Sequence, residues 1–211
     1  MLQVEGVPAT RRNGRRPSDG DLLDGARSAF AELGFHGASM DVIAQRSGST
    51  KPTLYAHFGD KETLYGRALD REASALEQHL AAAYTSVLDL PVSEQVRRDT
   101  MAFFEYAAAH PDGFELLFGR QASGPAHAAR EALTTALQER MAAVFGHYER
   151  EHHLALGAST RPLAALSVSV AIEAARLAIG TPGVDLPVAA ELAVSYIDAA
   201  LHHIDLTALP L

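Results

Sequence analysis

Residues 38–69 read ASMDVIAQRSGSTKPTLYAHFGDKETLYGRAL and hold both lysines of the chain, Lys51 and Lys61. Ser39 is the predicted N-cap of a helix of about two turns that Gly48 ends. Thr50 caps the next helix, with Pro52 in its first turn, where a missing N–H costs little. Asp60 opens a third, much longer one. Two helices that cross tightly need a small residue at the crossing and a glycine at the turn. They also need an apolar residue on the second helix to lock the pair against a third. Ala44, Gly48 and Leu54 meet these needs, and Ile43 and Phe58 can add core contacts. Spacing of this kind also arises by chance in helical proteins.

The polar residues between these positions point to an anionic partner. Thr50, Lys51 and Thr53 stand at a helix start, where free N–H groups and the helix dipole favour phosphate. Tyr55 and His57 follow within a turn, and Lys61 starts the next helix. The other reading leaves Tyr55 as half-buried packing and His57 as a surface group.

Upstream, DLLDGARSAFAELG places Leu22, Ala26, Ala29, Phe30 and Leu33 at helical spacing, with Gly34 as a stop. Leu22, Ala26 and Phe30 offer the face that covers the crossing pair. Further upstream, RRNGRR carries four arginines in six residues. The chain of 211 residues has a formal net charge of −8, distributed unevenly. Residues 1–70 hold nine Lys/Arg and nine Asp/Glu, whereas 71–211 hold nine against seventeen. An acidic body behind a locally basic front suits an anionic partner at the N-terminus. A solubilising disordered tail is the alternative for the arginine arm.

Downstream, helices are predicted over roughly 59–84, 93–109, 112–119, 127–153, 160–180 and 187–205, separated by proline- and glycine-containing breaks. Neither strand alternation nor an internal repeat is visible. The expected fold class is all-α: a basic arm (1–17), a three-helix head (18–66) and a larger helical body (67–211). An apolar content of 47% suits a buried core, and the absence of cysteine excludes disulfides and thiolate metal sites. No leader pattern opens the chain, and no apolar run approaches the roughly 18 residues of a membrane helix. LSVSVAIEAARLAIG comes closest, interrupted by Glu173 and Arg176. A cytoplasmic protein with no membrane partner is expected.

At residues 20–68 the sequence resembles the TetR family of bacterial transcriptional repressors. The resemblance rests on Ser39, Ile43-Ala44, Gly48, Thr53-Leu54-Tyr55, His57-Phe58, Lys61-Glu62 and Leu64. Ser47 stands where alanine is usual, and Pro52 where glycine is frequent. The resemblance implies phosphate contacts at Ser39, Tyr55, His57 and Lys61. It also implies base-edge contacts around Thr50, Lys51 and Thr53, with Pro52 counted among the DNA-binding residues. It further implies a homodimer through the two C-terminal helices, a palindromic double-stranded DNA operator, and a small-molecule effector that releases it. The arginine arm resembles extensions that enter a minor groove.

Candidate ligand-binding residues in the body are Phe103, Phe104, Tyr106, Phe114, Phe118, Met141 and Phe145, each also an ordinary core residue. Leu117, Val144 and Tyr148 belong to the same stripes. Arg120 and His127 are polar handles in an interhelical loop. Glu173 and Arg176 are either an intrahelical ion pair or a polar contact within a pocket. In HYEREHH, His147, Glu149, Glu151 and His153 have helical metal spacing but no completing ligands, so a solvated helix end is expected, with no metal and no cofactor. No catalytic residues are assigned: no phosphate loop, cysteine nucleophile or G-x-S-x-G is present. The rivals to a ligand-responsive regulator are a constitutive DNA-binding protein and a helical interaction protein without DNA function.

Overall fold

Ser18 starts the first helix with a reciprocal cap. Its Oγ accepts from the Asp21 N–H (3.2 Å), while Asp21 Oδ2 accepts from the Ser18 N–H (2.9 Å). The computed structural model describes residues 17–85, 90–119, 127–152 and 157–203. Helix α1 (Asp19–Gly37) leaves helical geometry at Gly34, whose φ of 68° suits glycine. A last turn continues to Gly37, so Gly34 breaks the helix rather than ending it. Ser39 and Thr50 cap α2 (Met40–Arg46) and α3 (Lys51–Phe58), accepting from Val42 and Thr53 N–H groups. Asp60 Oδ1 accepts from the Thr63 N–H (2.7 Å) at the head of α4 (Lys61–Thr85), a helix of 25 residues.

The body comprises α5 (Val92–Ala109), α6 (Pro111–Phe118), α7 (His127–His152), α8 (Thr160–Gly180) and α9 (Leu186–His203). A 3-10 turn, Gly157–Ser159, leads into α8. Among the described residues there is no strand, as an all-α chain requires. Helix α1 packs on α2, α4 and α6, α5 lies against α4 and α9, and α8 packs between α7 and α9. One core runs from Leu22, Ile43, Leu54 and Leu64 in the head through Tyr106 and Phe114 to Phe145 and Ile197 in the body. The segment Gly157–Gly180 is apolar and long enough to cross a membrane, with a mean hydropathy of 1.6. The expectation that no run reaches that length therefore underestimated it, because Glu173 and Arg176 do not lower the mean enough. In the fold this is a core helix, burying Leu163, Ala164, Val168 and Ala175.

Two contacts hold the head together that spacing does not reveal. The first is the crossing of α1 on the end of α2, where a Cβ on Gly25 would meet the Ser47 backbone nitrogen at 2.5 Å. Ser47 is buried there, and its Oγ donates to the Ile43 carbonyl (2.8 Å). The second is Lys61, whose Nζ donates to the Phe35 (2.9 Å) and Ala38 (3.2 Å) carbonyls and lies 4.5 Å from the Phe35 ring centre. The lysine thereby binds carbonyls at the C-terminal end of α1, where the helix runs out of N–H partners, and its charge lies over the Phe35 ring.

Gly25→Ala gains roughly 1 kcal/mol of helix propensity. It must also separate two backbones, and overpacking costs about 1–3 kcal/mol. A net loss of stability is expected by urea unfolding; an increase would mean that the crossing is looser than described. Lys61→Met keeps a stem over Phe35 but removes two charge-assisted hydrogen bonds, so unfolding stability should fall by about 1–3 kcal/mol. Undiminished stability would show that these two bonds contribute nothing to the fold.

Candidate nucleic-acid interface and body cavity

Leu54 and Phe58 point inward from α3 and are buried, which turns the rest of this short helix outward. Thr50, Lys51, Pro52, Tyr55 and His57 are exposed, and Thr53 is half-buried. The Thr50 and Thr53 hydroxyls lie 2.8 Å apart, so each fixes the other's rotamer. Lys51 Nζ donates to Asp41 Oδ2 (2.9 Å), and that hydrogen bond holds the ammonium above its ordinary pKa. His57 Nδ1 lies 3.0 Å from Asp19 Oδ1, at the start of α1. Ser39, at the cap of α2, is exposed on the head. Lys61 is only half-buried, and its two carbonyl bonds leave one of three ammonium protons for another acceptor. Arginines 11, 12, 15 and 16 lie outside the described residues.

Between head and body, Glu72 of α4 is buried against Arg27 Nη1 (3.5 Å) and Arg71 Nη2 (3.0 Å). The Tyr106 hydroxyl donates to the Glu72 carbonyl (3.2 Å) and lies 3.4 Å from Oε2. Burial first, and the facing carboxylate second, push the Tyr106 phenol well above its usual pKa. A second bracket is Arg130 on α7, which donates to the Leu116 carbonyl (3.0 Å) and to the Tyr65 hydroxyl. Sequence reasoning missed Glu72 and Arg130, because Arg27 and Tyr106, and likewise Leu116 and Tyr65, reach them from other helices.

The body holds a small, partly open cavity of about 40 Å³. Its wall is Leu80 from α4; Asp99, Thr100 and Phe103 from α5; Leu137, Arg140 and Met141 from α7; and Val168, Ala171 and Ile172 from α8. Of the aromatic and methionine candidates, Phe103 and Met141 reach this wall. Phe104, Tyr106, Phe114 and Phe145 are packed in the core, and Phe118 joins a ring cluster with Phe103 and Phe114. Leu117, Val144 and Tyr148 are buried too. Glu173 and Arg176 form an ion pair along α8 (Nε to Oε2, 2.9 Å), away from the cavity wall. His127 is exposed beside Glu131, while Arg120 lies outside the described residues.

The polar part of the wall was not anticipated. Arg140 Nη2 donates to Asp99 Oδ1 (3.0 Å) and to the Leu80 carbonyl (2.6 Å), and its guanidinium lies 4.6 Å from the Tyr84 ring centre. Asp99 Oδ2 and Thr100 Oγ1 are buried with no protein partner. Burial raises the pKa of Asp99, and the Arg140 pair only partly opposes it. Among the described residues no three His, Asp or Glu side chains gather as a metal site, and His153 lies outside them. Glu149 Oε1 instead accepts from the Gly157 N–H (3.3 Å).

A sequence model of bacterial regulatory proteins of the tetR family matches residues 22–68. The HTH-type transcriptional activator FasR of Mycolicibacterium smegmatis is 30% identical over 207 residues, spanning 93% of this chain and 90% of that protein. The HTH-type transcriptional repressor AcnR of Corynebacterium glutamicum is 42% identical over 55 residues, 26% of this chain and 29% of that protein. A TetR-like regulator from a Rhodococcus species has the same fold, with a TM-score of 0.74 at 23% identity over 90% of this chain and 100% of that one. So does FadR of Bacillus subtilis, solved in complex with stearoyl-CoA, with a TM-score of 0.72 at 15% identity over 89% and 100%. All four are named as transcriptional regulators. With a relative matched along nearly its whole length and the family's head built as its motif requires, the chain belongs to the TetR family of bacterial transcriptional regulators.

Proposed function

We propose that the protein is a cytoplasmic, dimeric repressor that binds a palindromic operator and is released by a small molecule. The observation that carries this reading is the outward start of α3, where the capping Thr50 with Lys51 and Pro52 is exposed and Thr53 is half-buried beside them. A helix start of this kind fits a major groove, and its threonines and lysine match base edges. Ser39, Tyr55, His57 and the third proton of Lys61 suit flanking phosphates, which position the head without reading sequence. Lys51 is paired with Asp41, and His57 lies beside Asp19, so DNA must replace two exposed contacts. Contacts between exposed, solvent-screened side chains are weak, so this is a small obstacle. The head takes residues 18–66, the arm 1–17 and the body 67–211.

The dimer reading is supported by an apolar face on the last two helices. Leu166 and Leu177 on α8 and Val188, Leu192 and Tyr196 on α9 are exposed, Leu192 at 68%. A two-fold pairing through this face gives two related heads and hence inverted half-sites. The effector reading is supported by the cavity and by α4, which begins beside α3 and reaches the cavity wall with Leu80. The FadR fold neighbour, solved with stearoyl-CoA, supports the capacity of this fold to bind a molecule that carries a long apolar chain. Repression is supported by the name of AcnR, whose likeness lies in a short segment, while FasR, matched along most of its length, is named an activator.

Binding of labelled palindromic duplexes, selected from random sequence, tests the reading. Lys51→Ala and Thr53→Ala should change base preference as well as affinity, by about 1–3 kcal/mol per lost contact. If both leave preference unaltered, α3 does not read bases. Leu192→Glu should convert a dimer to a monomer by sedimentation and abolish the advantage of palindromic over single half-sites. A wild-type chain that is monomeric at micromolar concentration rules out the dimer.

A further inference from the structure

The wall of the body cavity is apolar except at one corner, and the chemistry of that corner selects a ligand. Arg140 has its charge met by Asp99 Oδ1 and a further bond to the Leu80 carbonyl. What remains unpartnered is the other carboxylate oxygen, Asp99 Oδ2, with the Thr100 hydroxyl on the next residue; both residues line the cavity, and both atoms are covered until the wall moves. Both side chains are more than nine-tenths buried, Asp99 at 6% and Thr100 at 2% exposure. A buried acceptor without a donor costs free energy that a bound N–H or O–H would recover. From Asp99 Oδ2 and the wall of Phe103, Leu137 and Val168, the geometry points to a ligand with an apolar body and one hydrogen-bond-donor head, an amine or alcohol, rather than an anionic acyl head.

This deepens the effector reading above and rests on it. An anionic head would meet a carboxylate oxygen with no proton to offer, in a site where the only guanidinium is already neutralised. An ammonium or hydroxyl donates to Oδ2 and adds a second favourable partner to the carboxylate that burial penalises. The raised pKa of Asp99 agrees with a carboxylate that lacks full compensation from Arg140. The present volume of about 40 Å³ exceeds the roughly 10–15 Å³ that one water needs, yet it is below that of ordinary ligand pockets. An eight-carbon chain must therefore push the flexible Met141 side chain and the small face of α8 at Ala171 outward. Because Leu80 of α4 shares the wall, the same displacement reaches the helix that carries the head.

Octylamine, 1-octanol and octanoate share one apolar chain and differ only in the head, so calorimetric titration of the DNA-free full chain reads the corner directly. Octylamine and octanol should bind at least tenfold more tightly than octanoate. Asp99→Asn leaves Arg140 uncompensated and should reverse the order of octylamine and octanoate while octanol changes little. Should that variant melt early, Thr100→Val, which keeps the shape, should weaken octanol and octylamine several-fold. Ala171→Val, which narrows the cavity without a polar change, should weaken all three probes more than tenfold. The inference is overturned if octanoate binds as tightly as octylamine, if none of the probes binds, or if a folded Asp99→Asn keeps the amine preference. Operator binding, measured on the same preparations without probe, reports separately on the DNA reading. A chain that holds operator DNA but no octyl probe loses only this inference. One whose octylamine complex keeps full operator affinity loses the release step of the proposed function instead.

Discussion

A buried carboxylate, Glu72, is the contact on which the joint between head and body depends. It lies on α4 with 3% of its surface exposed and draws Arg27 from α1, Arg71 from its own helix and Tyr106 from α5 to one point. A carboxylate in such a position must keep its partners, because removing one from a buried pair costs about 3–5 kcal/mol. The consequence is geometric. Helix α1 cannot rotate against α4, nor α5 slide along it, without uncovering a desolvated charge. Arg130 adds a second bracket from α7, through Leu116 on α6 and Tyr65 on α4. The head is thus tied to the body by polar contacts of fixed direction as well as by apolar packing, which alone tolerates sliding.

The parts of the fold that sequence made legible are those whose physics is local. Ser39, Thr50 and Asp60 cap their helices because a side-chain oxygen needs only a backbone N–H three residues on. Leu54 and Phe58, four apart, mark the inner face of α3, and the polar residues between them are outward by elimination. Long-range partners had no such signature. Lys61 reads as a surface cation until Phe35 and Ala38, 26 and 23 residues earlier, bring carbonyls to it. Glu72 reads as one more charge on a solvated helix. The same limit affected the pocket. A helical stripe such as Phe103, Phe104 and Tyr106 is apolar whether it lines a cavity or fills a core, so periodicity could not separate Phe103, on the wall, from Phe104, in the packing. Asp99 and Arg140, 41 residues apart, carried no spacing signal at all.

The two polar centres of the body differ in how completely they are satisfied. Glu72 has an arginine from each of two helices and a phenol close by, a closed set suited to holding elements in register. Asp99 has one arginine, a free oxygen and a neighbouring hydroxyl without a partner. Buried networks that are only partly satisfied are costly, because the low dielectric that strengthens each made bond also enlarges the cost of each missing one. The cost falls at the wall that α4 shares with α5, α7 and α8. A molecule that completes Asp99 therefore gains from the same corner that it must widen.

That opposition sets how strongly the two ends of α4 can be coupled. A rigid helix of 25 residues spans about 37 Å at 1.5 Å per residue, so a shift at Leu80 is carried to Lys61 rather than absorbed. The Glu72 cluster lies between them as a pivot, close to where α1 and α5 cross the helix. If the widened cavity and the DNA-ready head require different tilts of α4, each ligand disfavours the state the other needs, by the same factor in both directions. A coupling of about 1–3 kcal/mol weakens one site 5- to 150-fold, whereas reversing a 1:99 population to 99:1 takes about 5.5 kcal/mol. In a two-fold dimer both protomers contribute, since one operator engages both heads. Under the proposed dimeric, ligand-released reading, two couplings near the upper end of the single-site range would together reach a full switch.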